Sequence, residues 1–176
     1  MATISRWDKT LPCLLDRISE GNVSKDVFVS PQRYLESVRR DLYWLFKTEV
    51  SRTTEMLVDR ATGKSLADFE NASVSVLAYG VPKLSGEHGV NTLGAELART
   101  VERAIRIFEP RIDPGTLRVR PASQTEGEQP DSTVSIFGFE IEGNVRMKPV
   151  PEHLLLKAYY VPAITQWRME GMALGS

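Results

Sequence analysis

The hydrophobic pattern of this 176-residue chain changes its period once, at the Pro114-Gly115 pair. Before the pair, apolar residues recur every three or four positions, which is the repeat of an amphipathic helix. After it they recur at every second position, which is the repeat of a strand with one buried face. Helices that precede strands, instead of alternating with them, predict an α+β domain with a mainly antiparallel sheet in the C-terminal half.

Two long amphipathic helices are predicted before the change of period, at residues 32–47 and 92–108. The first follows Ser30 and Pro31, where a serine can accept bonds from free backbone amides and a proline loses nothing at the first helical position. The second ends next to Pro110, because proline disfavours helical geometry in the residue before it. Their apolar faces carry Leu35, Val38, Leu42, Leu45 and Phe46 in the first helix, and Leu93, Leu97, Val101, Ala104, Ile105 and Phe108 in the second.

The segment 73–82 is open to two interpretations. Val74 and Val76 alternate with polar residues, as in a strand. The opening serine could equally cap a short helix that closes at Gly80 in the left-handed conformation, with Pro82 preventing its extension.

Three strands are predicted after the change of period, at residues 116–120, 132–142 and 153–161. An exposed loop rich in glutamine, glutamate, glycine and proline separates the first two, at residues 121–131. The alternation changes face at Gly138, which predicts a bulge or bend there.

The domain organisation predicted from these patterns has three parts. Residues 1–30 form an N-terminal docking segment, residues 31–162 form the α+β domain, and residues 163–176 form a C-terminal tail with little pattern. The docking segment contains one apolar helical stripe, made of Leu11, Leu14, Leu15 and Ile18.

Composition and charge exclude several classes of protein. With 22 basic and 23 acidic residues, the chain lacks the basic surplus of a nucleic-acid binder that works by bulk charge. Its single cysteine, Cys13, excludes an internal disulfide and suits a reducing cytoplasm. There is neither a signal-peptide pattern nor an apolar run of about 20 residues. We therefore expect a cytoplasmic protein.

No catalytic constellation stands out, so we expect no enzyme, no cofactor and no metal. Glu87, Glu96 and Glu109 are candidate acids, but they lack the flanking signature of a glycosidase pair. His88 and His153 have no neighbouring ligand pattern, and no Gly-x-Ser-x-Gly motif is present. Purified protein should not cleave peptidoglycan above a heat-killed control.

The Glu109-Pro110-Arg111 triplet is the strongest candidate site. The helix dipole disfavours a carboxylate at a helix C-terminus, so another interaction must stabilise Glu109. That interaction is either recognition of a partner through charge-assisted hydrogen bonds or an internal salt bridge that organises the turn. Recognition predicts that Glu109 and Arg111 are both partly exposed and contribute little to the melting temperature.

Three segments, at residues 38–48, 75–82 and 104–112, together resemble the baseplate wedge proteins of contractile injection machines. This family includes a phage tail protein once labelled a lysozyme, as well as the TssE subunits of type VI secretion. The Glu-Pro-Arg triplet is the most specific element, followed by the Tyr-Gly-x-Pro piece at residues 79–82. The start of TssE in particular is similar to the run Leu14-Leu15-Asp16-Arg17.

The resemblance implies a short helix at residues 75–79 and a structural role in a baseplate. It implies partners of the TssF, TssG and TssK type and contact with the sheath, where a sheath strand would cover an exposed edge of the segments 116–120, 134–141 or 154–161. The alternatives are a soluble regulatory module of the same fold and, less favoured, a peptidoglycan hydrolase. The partner-binding residues it implies are Glu109, Pro110, Arg111, Leu14, Leu15, Asp16 and Arg17.

Overall fold

The computed structural model of the chain describes residues 10–19, 28–50, 62–64, 68–82, 90–122, 136–164 and 166–170. Within these ranges the helices are α1 (Leu14–Ser19), α2 (Pro31–Lys47), α3 (Glu70–Ser73) and α4 (Val90–Phe108), with 3-10 turns at Val76–Ala78 and Pro162–Ile164. The strands are β1 (Glu49–Val50), β2 (Val81–Pro82), β3 (Arg118–Ala122), β4 (Phe137–Val145), β5 (Glu152–Val161) and β6 (Gln166–Met169).

Both long helices confirm the predictions from periodicity and capping. The Ser30 hydroxyl oxygen accepts a hydrogen bond from the Arg33 backbone N–H at 3.3 Å, which satisfies one of the free amides at the start of α2. Helix α4 ends at Phe108, two residues before Pro110. Their buried residues include Val38, Leu42, Leu45 and Phe46 from α2 and Leu97, Val101, Ala104 and Ile105 from α4.

The four-stranded sheet is antiparallel throughout, in the order β3-β4-β5-β6, which confirms the α+β fold class. Burial alternates along the whole of β4, so one face of the strand is packed while the other is more exposed. The buried residues of this face and of α2 and α4 belong to one hydrophobic core. The helices and the sheet therefore share a single apolar interior.

The segment 73–82 is helical rather than extended over most of its length, but Ser73 does not cap a helix there. Ser73 is the last residue of α3, Ser75 caps the 3-10 turn Val76–Ala78, and only the last two residues form a strand. That strand, β2, pairs in parallel with β1, and the Val81 N–H donates to the Thr48 carbonyl at 3.0 Å. The pairing fixes the end of this segment to the end of α2.

The predicted bulge at Gly138 is wrong. Gly138 is paired with Ala122 on one side and Tyr159 on the other, and the register is unbroken from Phe137 onward. The strand begins at Phe137, so Ile136 precedes the strand and its side chain does not belong to the alternation. Val134 lies outside the described residues.

The C-terminal segment also differs from its prediction as a tail. Strand β6 lies within residues 163–176 and completes the sheet beside β5. Trp167 in this strand packs against three aromatic rings, with centroid distances of 5.1 Å to Phe46, 5.7 Å to Phe139 and 5.0 Å to Tyr160. The α+β domain therefore extends at least to Met169.

None of the helices in the described ranges is long and apolar enough to cross a membrane.

Candidate functional site

The turn after α4 brings the Glu-Pro-Arg triplet into contact with itself. The Glu109 N–H donates to the Ile105 carbonyl at 2.8 Å, which is the last hydrogen bond of the helical ladder. The chain then turns at Pro110, and the Arg111 Nε donates to Glu109 Oε1 at 2.6 Å. A second bond joins Arg111 Nη2 to Glu109 Oε2, so the pair is bidentate.

Arg111 also reaches across to α2. Its Nη2 donates to Asp41 Oδ2 at 2.6 Å, and its Nη1 donates to the Ser37 hydroxyl at 3.3 Å. The guanidinium carbon lies 5.9 Å from the centre of the Tyr34 ring. A guanidinium has five N–H donors, and the contacts to Glu109, Asp41 and Ser37 use four of them. Most of the N–H donors of Arg111 are therefore bonded to acceptors within the chain.

Asp41 continues the contact toward the N-terminal segment. Its Oδ1 accepts from Arg40 Nε at 3.3 Å, and Arg40 Nη1 donates to Asp16 Oδ1 at 2.5 Å. Cys13 completes this end, because its thiol donates to Asp16 and its sulfur accepts from Arg40. The residues Asp16, Arg40, Asp41, Arg111 and Glu109 thus form one ion network that joins α1, α2 and the turn after α4.

The turn is also pinned to the sheet. The Arg146 N–H donates to the Arg111 carbonyl at 2.7 Å, and Ile112 forms a bridge with Val145 at the end of β4. A Cβ atom on Gly143 would lie only 2.9 Å from Ile112 Cγ2, so glycine is what allows Ile112 to approach the strand. The C-terminal end of the triplet is therefore held against the end of β4.

Ion pairing shifts the pKa values of Arg111, Arg40 and Asp16 toward their charged forms. Burial acts to lower the pKa of Arg111, but its bonds to Glu109 and Asp41 outweigh this and raise the pKa above its usual value. The hydrogen bond to Asp16 likewise raises the pKa of Arg40. Burial acts to raise the pKa of Asp16, but hydrogen bonds from Arg40 and Cys13 lower it overall.

Exposure differs sharply between the two charged members of the triplet. Glu109 is only 4% exposed, whereas the Arg111 side chain is 19% exposed. The prediction that both are partly exposed is therefore wrong for Glu109 and confirmed for Arg111. The reason is geometric: the turn at Pro110 directs the Glu109 carboxylate onto Arg111, and a buried carboxylate requires such a partner. The more exposed rim of the network is Arg40 and Asp41, at 33% and 30%.

Part of the N-terminal run Leu14-Leu15-Asp16-Arg17 contributes to this site. Asp16 belongs to the network, whereas Leu14 is 69% exposed. The side chains of Leu15 and Arg17 lie outside the described residues. Thr10 adds a second attachment, because its hydroxyl both donates to the Lys148 carbonyl and accepts from the Lys148 N–H.

Sequence reasoning missed the contribution of α2 to the site. Tyr34, Ser37 and Asp41 are spaced by three and four residues, so they lie on one helix face. Arg40 and Asp41 also lie inside the first of the three segments that resemble the wedge family. The signal available in the sequence was a polar residue, such as Asp41, next to the apolar face of α2.

Of the remaining catalytic candidates, the structure describes His153 and Glu96. His153 is exposed and lies 3.3 Å from Glu142 Oε1, while Glu96 is exposed on α4. Glu87 and His88 lie outside the described residues. In the part of the chain that the structure describes, no group of three or more His, Cys, Asp or Glu side chains could hold a metal ion.

Residues 32–150 match the family of the baseplate wedge protein gp25. A comparison with curated proteins gives no match. The matched range begins in the first turn of α2 and ends just before β5, so it contains Arg40, Asp41, Glu109 and Arg111. More than half of the chain is covered, and the chain belongs to the baseplate wedge protein gp25 family.

Proposed function

We propose that the chain is the TssE-type wedge subunit of a type VI secretion baseplate. Its family already gives it a structural role in a phage-tail-like baseplate. The finer assignment rests on the ion network, because Asp16 lies in the TssE-like run and docks onto the family domain through Arg40. The N-terminal motif and the Glu-Pro-Arg triplet thereby become parts of one surface.

In this proposal the members of the two motifs have different tasks. Glu109 and Pro110 hold Arg111 in place, and Arg111 presents its exposed part to a partner beside the rim of Arg40 and Asp41. The exposed Leu14 extends this surface with an apolar contact, and Leu15 and Arg17 belong to the same run. Wedge proteins of the TssF, TssG and TssK type are the proposed partners, and recognition takes the place of bond-breaking.

The sheath is the second proposed contact. In the described residues, no strand pairs with the outer side of β3 or of β6, so these two strands form the edges of the sheet. Of the three segments predicted to offer an edge, 116–120 contributes to the edge strand β3, and the described part of 134–141 lies in the interior strand β4. Strand β5 pairs with β6 only over residues 158–161, so residues 154–156 of the third segment have no strand partner on that side in the described residues. A free edge carries unpaired amides and carbonyls, and a strand of a sheath subunit could add to it.

The experiment that tests the wedge assignment compares two neighbouring arginines of α2. Arg40 belongs to the network and Arg39 is exposed outside it. We expect Arg40→Glu to abolish co-purification with TssF- and TssG-type proteins, because the new carboxylate would repel Asp16 and Asp41 and disrupt the surface proposed to meet them. Arg39→Glu changes the net charge equally and should leave co-purification intact.

Two outcomes would contradict the proposal. Wild-type protein that does not co-purify with these partners would remove the assignment to the wedge. Equal loss with both variants would show that bulk charge, rather than the network, governs the contact. Circular dichroism of each variant confirms that the domain remains folded.

A further inference from the structure

The segment between α3 and β2 projects apolar side chains into solvent. Val74, Val76 and Leu77 are 48%, 84% and 63% exposed, and we call them the apolar knuckle. Single exposed apolar residues are ordinary on a protein surface, but three large ones within four positions form a patch. We propose that this knuckle inserts into a neutral, apolar cleft of another baseplate subunit, an inference that rests on the proposed wedge function.

The knuckle is held rigidly by its own backbone. The Ser75 hydroxyl donates to the Ala72 carbonyl at 2.8 Å and accepts from the Leu77 N–H at 3.3 Å. Two backbone bonds close the 3-10 turn, from Ala78 N–H to the Ser75 carbonyl and from Tyr79 N–H to the Val76 carbonyl. A preformed turn avoids the entropy cost of ordering on binding, so its exposed side chains can contribute fully to affinity.

The base of the knuckle is fixed beside the ion network. The Tyr79 ring packs edge-on against Phe108, the last residue of α4, with centroids 5.3 Å apart. Its hydroxyl lies 3.5 Å from the Asp41 carbonyl oxygen, as donor to that oxygen. Gly80 then adopts φ +129°, which a residue with a side chain rarely adopts, and returns the chain to β2. Tyr79, two residues after the knuckle, therefore contacts the backbone of Asp41, whose side chain belongs to the rim that is proposed to meet the partner.

The chemistry of the partner follows from the charge pattern. Residues 71–82 include no charged side chain, although 26% of the whole chain is charged. A charged group on the partner would lose its hydration against these side chains without gaining a counter-charge. The high exposure of Val76 and Leu77 indicates a projecting tip, which a concave surface covers best. A neutral, apolar cleft fits both properties.

The test uses the full chain and a purified subcomplex of TssF- and TssG-type proteins, with affinity measured by biolayer interferometry. Val76→Ser and Leu77→Ser should each weaken binding by roughly tenfold or more, because each removes an apolar side chain that the complex buries. The matched controls are Val150→Ser and Leu155→Ser, at positions that are 64% and 53% exposed elsewhere on the chain. They should leave the affinity unchanged, and all four melting temperatures should stay within about 2 °C of wild type.

Three results would overturn the inference, and they are distinguishable. Wild-type binding that the knuckle variants retain in full would refute the knuckle while the wedge function stands. Failure of the wild-type chain to bind would remove the wedge function, and the inference with it. Sedimentation showing a dimer of the chain alone that Val76→Ser dissociates would identify a second copy, rather than another subunit, as the occupant.

Discussion

Glu109 illustrates how one residue can stabilise its own fold and a partner surface together. A carboxylate at the C-terminus of α4 is opposed by the helix dipole, and its burial adds a desolvation cost. The bidentate bond with Arg111 offsets both, and Asp41 shares the same guanidinium. Glu109 therefore acts on a partner only through the position that it imposes on Arg111.

This arrangement predicts that Glu109 contributes to stability, in contrast to the expectation for an exposed pair. Glu109→Gln should lower the free energy of unfolding by about 2–3 kcal/mol, because it leaves a partly buried arginine with one fewer carboxylate. The control is Glu102→Gln on the same helix, where the i,i+4 pair with Arg106 lies at the surface, with side chains 29% and 47% exposed. That change should cost no more than about 0.5 kcal/mol. Urea denaturation of the two variants measures both values, and equal small costs would show that Glu109 is not an internal support.

The extent to which the network could be predicted depends on distance along the chain. Glu109 and Arg111 are two residues apart, so the sequence alone indicates an internal salt bridge as one of two alternatives. Asp41 is 70 residues from Arg111, and Asp16 is 24 residues from Arg40. Periodicity shows which face of a helix is apolar, but it does not show which polar residue beside that face meets which turn. The long-range members of the network therefore became visible only in the fold.

At the scale of elements, the strongest signals came from long segments. Helices α2 and α4 run for 17 and 19 residues and carry apolar faces over several turns. Strand β6 has only four residues, Gln166–Met169, and its polar–apolar alternation covers just two repeats. What defines β6 is its pairing with β5 and the packing of Trp167, and neither is encoded in a local pattern.

Strand β6 should be essential to the domain because Trp167 closes one end of the core. Trp167→Ala removes contacts to the rings of Phe46, Phe139 and Tyr160, and we expect a loss of about 2–4 kcal/mol in the free energy of unfolding. Trp44→Ala is the matched control, since Trp44 is 50% exposed and its ring meets Tyr43 edge-on and the Lys47 ammonium group. It should cost about 1 kcal/mol or less. Similar losses for both variants, measured by chemical denaturation, would refute a structural role for β6.

At the scale of the whole molecule, the outer face of the sheet has an ordered charge pattern. Arg120 lies opposite Glu140, which lies opposite Lys157, and Glu170 approaches Lys157 at 4.0 Å. Positive and negative charges thus alternate from β3 to the far side of the sheet. At the β3 edge the pattern ends in arginines, because Arg118 is likewise paired with a glutamate of β4.

This pattern specifies what a strand added to β3 should carry. Opposite charges directly across neighbouring strands stabilise a sheet, whereas like charges destabilise it. An incoming sheath strand should therefore place acidic residues opposite Arg118 and Arg120, which would continue the alternation by one strand. Pro121 lies in the same strand and suits an edge, since it has no N–H to donate.

We expect the double variant Arg118→Gln/Arg120→Gln to bind the sheath subunit roughly two- to thirtyfold more weakly than wild type at low salt, because two cross-strand ion pairs are lost. The control Arg99→Gln/Arg103→Gln removes the same charge from exposed positions of α4 and should bind as wild type does. The difference should shrink at 1 M salt, where exposed charges are screened over about 3 Å. Glutamine avoids the repulsion from Glu140 and Glu142 that a carboxylate would introduce, so a thermal melt should find the variant intact. If the β3 variant binds the sheath as tightly as the α4 variant at every salt concentration, the sheath does not dock through the arginines of β3.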